Sequence, residues 1–187
     1  MKRLLDLVLV FICFSCVATS AAIEPQPEYK IKGAYLYNFS KFTRLPETHF
    51  GDNNNYDLCI VGENPFGRFL DSLTGRDIQG RRLSLHMLGR NQAMDTCEMV
   101  FIARSETARL DRLIQWAADH RILTVSDIDN FAARGGIIGL ITKGNRVQFQ
   151  INQVVAKGCG ISISAKLLEL GKTVTSKGNS EDFGCSD

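Results

Sequence analysis

Cys59, Cys97, Cys159 and Cys185 have the type and spacing to do chemistry, and that chemistry is oxidation to disulfides. No two of them approach a C-x-x-C spacing, so neither a redox pair nor a zinc site has a local signature. Cys13 and Cys16 lie in a segment that reads as an export signal. Lys2 and Arg3 open it, a mostly apolar stretch runs from Leu7 to Val17, and small residues close it from Ala18 to Ala22. The apolar stretch is shorter than the roughly 18 residues that argue for a membrane span. Cleavage after Ala21 or Ala22 is expected, leaving one domain over residues 23–187 in an oxidising, periplasmic-type compartment. Lipidation at Cys16 is the competing reading, but Phe14, Ser15 and Cys13 make a poor lipobox.

Four cysteines allow three pairings. Cys59 falls in the first predicted strand and Cys97 beside the third, which should be neighbours in a parallel sheet. The favoured scheme is therefore Cys59–Cys97 with Cys159–Cys185, the second bond pinning a polar tail. A bond closing about 38 residues would stabilise by roughly 4 kcal/mol on the chain-entropy model.

Other chemistries lack their signatures. His49, His86 and His120 are scattered over a loop, a strand and a helix end, with no H-E-x-x-H pairing, so no metal is expected. Gly75 to Arg82 has the glycine spacing of a phosphate loop but arginines where Lys and Ser/Thr belong, and Gly171-Lys172-Thr173 has the right end with Lys166 in place of the first glycine. Both read as turns. A G-x-S-x-G elbow is missing, and no catalytic set or cofactor is expected. Asp127 and Asp129 follow a strand and suit helix capping and dipole compensation. A small ligand, if the domain senses one, would sit near Glu63, Asn64, Ser126, Asp127 and Asp129 at the carboxyl end of the sheet. The formal net charge is +2, of which Lys2, Arg3 and Asp6 supply +1, so nucleic acid is not an expected partner.

The elements that would hold these residues alternate. Glu28 to Arg44 predicts a helix with Ile31, Tyr35, Phe39 and Phe42 inward, ended by Pro46. Tyr56–Gly62 is a buried strand, Phe66–Leu73 a short helix, and Arg81–Leu88 a strand with Leu83, Leu85 and Met87 inward. Met99–Ala103 is another strand, and Ser105–His120 a helix with Ser105 as N-cap. Ile122–Val125 is a strand, and a brief helix follows from Ser126 or Asp127 to Ala133. Ile137–Thr142 and Arg146–Ile151 form a hairpin through Lys143-Gly144-Asn145. A helical turn over Asn152–Lys157 and a last helix capped by Ser164 complete the pattern, before a polar tail from Thr175.

Apolar strands alternating with helices predict a three-layer α/β sandwich with a mostly parallel sheet, plus a C-terminal antiparallel hairpin at its edge. An apolar sheet edge can dock a partner strand. Ile138, Leu140, Phe149 and Gln150 on that hairpin are the expected partner-binding residues.

Tyr29 to Phe42 resembles the opening helix of the YfiR family of bacterial periplasmic proteins. Leu123 to Asp127, Phe131-Ala132 with Arg134-Gly135-Gly136, Ile138-Gly139, and Asn145-Arg146-Val147 with Phe149, Ile151 and Asn152 resemble its C-terminal core, as do Ile163-Ser164 and Lys166 to Leu168. The resemblance implies a non-enzymatic repressor that binds the periplasmic part of a YfiN-type diguanylate cyclase, lowering cyclic-di-GMP and biofilm formation. It also implies sequestration by a YfiB-type outer-membrane lipoprotein, and a homodimer. Similar domains act as sensory modules of histidine kinases, which leaves a ligand-sensing role as the alternative.

Overall fold

The computed structural model describes residues 26–46, 54–89 and 92–176. The export signal, His49, Cys185 and most of the polar tail lie outside the described residues.

Helix α1 (Pro27–Phe42) opens the fold, and its proline stands in the first turn, where no intrahelical N–H bond is lost. Strand β1 (Thr43–Arg44) follows, then β2 (Asn55–Val61), β3 (Asp77–Ile78), β4 (Arg81–Leu88) and β5 (Met99–Ile102). Helix α2 (Leu110–Asp119), β6 (Leu123–Ser126), β7 (Ile138–Lys143) and β8 (Arg146–Asn152) form the middle of the chain. Helix α3 (Gln153–Gly158), β9 (Ser162–Ile163), α4 (Ala165–Leu170) and β10 (Lys172–Val174) end it.

Eight strands form one sheet in the order β10-β8-β7-β6-β5-β2-β4-β3, and β1 pairs with β9 in a separate antiparallel ribbon. The run β4-β2-β5-β6-β7 is parallel throughout. The β7–β8 and β3–β4 pairs are antiparallel hairpins. Two cores lie on opposite faces. Leu58, Ile60, Met99, Phe101, Leu123 and Val125 face Leu36 and Phe39 of α1. Cys59, Val61, Val100 and Ile102 face Leu110, Ile114 and Ala117 of α2. Strands buried on both faces have no reason to alternate in polarity, which is why β2, β5 and β6 read as continuous apolar runs. The expected three-layer α/β sandwich is the fold observed.

Several details differ from the reading of the sequence. The C-terminal hairpin is not at the edge, because β10 adds parallel to β8 through Lys172↔Gln150 and Thr173↔Ile151. Gly171-Lys172-Thr173 is thus the entry to a strand rather than a turn. The first half of the expected Ser105–His120 helix is a 3-10 turn over Arg104–Arg109, and the Ser105 hydroxyl accepts from Glu63 N instead of capping α2. The helix expected before Ala133 is a 3-10 turn over Ala132–Arg134. Met87 lies on the same sheet face as buried Leu83 but is itself 46% exposed. Ser164 does cap α4, accepting from Leu167 N.

The largest difference is in α1. Ile31 is 45% exposed, and the buried stripe is Lys32, Gly33, Leu36, Phe39 and Ser40. An apolar count places Ile31 inside. The chain instead buries a lysine one residue later, because that lysine has a buried carboxylate to meet.

Candidate functional site

The carboxylate is Asp127, immediately after β6. Its Oδ2 lies 2.6 Å from Lys32 Nζ and accepts from the Tyr29 hydroxyl at 2.9 Å. Lys32 also pairs with Glu28 one turn earlier and stacks over the Tyr29 ring at 4.4 Å from its centroid. From the loop after β5, Arg104 Nη2 donates to the Asp127 carbonyl at 2.5 Å, and its Nε stands 3.4 Å from Oδ2. Thr142 on β7 donates to Glu28 Oε1 at 2.8 Å. Two segments of the sheet's carboxyl end therefore grip the first turns of α1, and Arg104 braces one of them through Asp127.

These charges tune one another. Burial pushes the Tyr29 phenol up to about 12, and the neighbouring Asp127 adds to the rise. Hydrogen bonding from Lys32 holds the Glu28 carboxyl below its ordinary value despite some burial. Burial works against the charge of Arg104, but Asp127 and Asp129 outweigh it and raise its pKa. Each cation of the cluster stands against a carboxylate. The Asp127 Oδ1 atom is buried and has no hydrogen-bond partner among the described residues.

A cleft of about 730 Å³ opens beside this cluster. Tyr29, Arg104, Asp129, Thr142 and Gln150 supply its polar wall, and Phe131 and Leu140 part of its apolar one. It lies beside the carboxyl ends of β5 and β6, a common place for ligands in open α/β sheets.

The five expected ligand residues divide. Asp129 lines the cleft. Asp127 Oδ2 is taken by Lys32 and Tyr29, and Ser126 Oγ donates to Ile102 O while accepting from Ile128 N. Glu63 and Asn64 belong instead to the loop after β2. There the crevice between β2 and β5 is filled by the chain itself: Glu63 N donates to Ser105 Oγ, and Asn64 caps its own turn by accepting from Phe66 N.

The four expected partner residues need a correction. Ile138, Leu140 and Phe149 are core residues, packed with Leu36 and Phe39, and only Gln150 is partly exposed. The reason is that α1 covers this face of the hairpin, with Tyr35 and Phe39 against Phe149 at 5.4 and 5.1 Å between ring centroids. Beyond the outer side of β8, a smaller groove of about 320 Å³ is flanked by Tyr35, Val147, Gln150, Leu170 and Lys172.

Cys59 and Cys97 are bonded, with 5.9 Å between their Cα atoms, and both are buried under α2. Cys159 is disulfide-bonded as well; its expected partner, Cys185, lies outside the described residues. A third polar group sits at the opposite end of β2. Glu98 Oε2 accepts from Asp57 N at 2.5 Å, and burial pushes the Glu98 carboxyl up to about 7. His86 Nε2 meets both Asp57 Oδ1 at 2.9 Å and Ser84 Oγ at 3.0 Å. A Ser-His-Asp relay needs the two different ring nitrogens, so this grouping is not one. His120 stacks on Trp116 at 3.7 Å, far from either group in sequence.

Sequence reasoning missed Glu28, Tyr29, Lys32 and Arg104. A signal was present: Lys32 precedes Leu36 by four residues and Phe39 by seven, which places it on the buried stripe. No helix among the described residues is long and apolar enough to cross a membrane. A comparison with curated proteins finds no match. The sequence profile described as YfiR/HmsC-like matches residues 29–172, from Tyr29 of the ion cluster to Lys172 of β10, and the chain belongs to that family.

Proposed function

We propose that this protein is an exported, non-enzymatic negative regulator that binds the periplasmic part of a membrane diguanylate cyclase and holds cytoplasmic cyclic-di-GMP low. The observation that carries this reading is membership of the YfiR/HmsC-like family over residues 29–172, a regulatory rather than catalytic family. The buried Cys59–Cys97 bond suits an oxidising compartment. Cleavage after Ala21 or Ala22 and release by a YfiB-type lipoprotein complete the scheme, and the protein acts as a homodimer.

Repression of this kind is a linkage effect. The regulator favours one state of the cyclase, and its influence cannot exceed its difference in affinity for the two states. The docking surface is the outer side of the late hairpin. Because Ile138, Leu140 and Phe149 are buried, Gln150 and the groove between Val147 and Leu170 carry the contact. Deleting the gene and measuring cyclic-di-GMP tests the function: a rise, reversed by the wild-type chain, is expected. An unchanged level would reject the repressor role. Gln150→Arg and Leu170→Asp should fail to restore repression while remaining folded.

A specific observation favours a second reading. The cleft beside Arg104 and Asp129 has the size of a small-molecule site, so the domain would sense a ligand on behalf of a membrane receptor such as a histidine kinase. A thermal-shift screen with nucleotides and amino acids separates the two readings, since a module that only binds protein responds to none.

A further inference from the structure

Resting on the homodimer proposed above, we infer that the outer edge of β4 pairs antiparallel with the same edge of a second copy, joining two sheets across a two-fold axis. The strand is poorly covered. β3 pairs only with Arg81 and Arg82, and the preceding loop takes Leu83, which donates to Arg76 O at 2.9 Å and accepts from Gly75 N at 2.8 Å. Arg82 N donates to Asn54 O on the β2 side. Backbone direction alternates along a strand, so Ser84, His86 and Leu88 point at β2, while Leu85 and Met87 point outward. Among the described residues, no strand pairs with that outward side beyond Arg82.

Proteins ordinarily blunt such an edge with Lys, Pro, a bulge or a covering segment. The other end of this sheet follows the rule: β10 has three residues and begins with Lys172. Residues 84–88 do not. They contain no Lys, Arg, Asp, Glu or Pro, and they present a 46% exposed Met87 beside a half-buried Leu85.

A second copy is the occupant because this stretch matches itself. With the axis at His86, Leu85 faces Met87 of the other copy, and Ser84 faces Leu88. Both Leu85 and Met87 point their amides outward, so each of the two Leu85–Met87 pairs closes a hydrogen-bonded ring. Their side chains meet on the sheet face that Leu83 and α1 share. Each β3 then bounds one end of the five-residue window. An axis at Leu85 would need the already bonded Leu83, and one at Met87 would set Leu85 against Gly89. Within this five-residue window no carboxylate, ammonium or guanidinium faces a like charge, and each His86 ring is held by Asp57 of its own chain.

Sedimentation of the mature chain, with amide exchange at Leu85 and Met87, tests this. Wild type should be dimeric in a concentration-dependent way, with both amides protected. Met87→Lys should be monomeric with both amides exchanging fast, at unchanged near-UV circular dichroism because Met87 is already exposed. Met87→Glu repeats the test with the opposite charge. Leu170→Lys, at another exposed apolar site, should leave the dimer intact. A dimeric Met87→Lys or dissociation by Leu170→Lys would overturn this edge alone, and a monomeric wild type at its highest soluble concentration would overturn it together with the homodimer.

Discussion

Lys32 and Asp127 stand 95 residues apart in sequence, yet their charged atoms meet at 2.6 Å with side chains only 2% and 1% exposed. A buried pair of this kind gains little over apolar residues of equal volume, but removing one partner strands the other charge. Lys32→Met should therefore cost about 3–5 kcal/mol, with Arg104 and Tyr29 softening the loss. The double variant Lys32→Met/Asp127→Leu should recover much of it. Urea unfolding of the four members of the cycle measures the coupling, and additive losses would mean the contact is not a true pair.

The disulfide makes a different demand. Its sulfurs are buried in the α2-side core, and the loop it closes spans 38 residues. Replacing both cysteines with alanine should lower stability by about 4 kcal/mol, mostly by freeing the unfolded chain. The check is thermal unfolding of Cys59→Ala/Cys97→Ala against wild type under non-reducing conditions. An unchanged melting temperature would show that the bond constrains nothing that packing does not already hold.

How far the fold was legible follows from where its polar groups went. Apolar strands flanked by turns announced the parallel sheet, and the same spacing placed Cys59 beside a strand that lay one lane away. Besides Met87, hydrophobic counting failed at two places, each for its own reason. It put Ile31 inside and left Lys32 out of the inward stripe, because a lysine is scored as solvated unless its carboxylate is known. It offered Ile138, Leu140 and Phe149 as surface, because a hairpin apolar on both faces is ambiguous until α1 is laid across one of them. Asp127 was flagged at the end of its strand, but as a cap or a ligand rather than the partner of a helix far upstream. Long-range pairings of single polar residues leave no periodic trace.

Glu98 should make stability depend on pH. Burial raises its pKa from 4.5 to about 7 in the folded protein, with the Asp57 charge opposing ionisation as well. The folded state then binds more protons than the unfolded state between these values, so stability falls as pH rises from about 4.5 to 7 and levels off above. The span is at most about 3 kcal/mol. Glu98→Gln should flatten that segment of the profile. Chemical denaturation at pH 5 and pH 7.5 for both proteins checks it, and equal slopes would place the ionisation elsewhere.

Gly62, at the end of β2, answers for the closed crevice between β2 and β5. Its φ is +93°, and a Cβ there would lie 2.4 Å from Ser105 Oγ and 2.8 Å from Glu106 Cγ. Gly62→Ala therefore meets two separate penalties: a left-handed backbone that a side chain disfavours by about 1–2 kcal/mol, and a collision with the hydroxyl that holds Glu63 N. Adding Ser105→Ala should relieve part of the collision but none of the backbone term, so the double variant should stay at least about 1 kcal/mol below Ser105→Ala alone. Denaturant titration of the three variants separates the terms. If Gly62→Ala folds as stably as wild type, this crevice is loose enough to admit a ligand after all, and Glu63 and Asn64 return as binding residues.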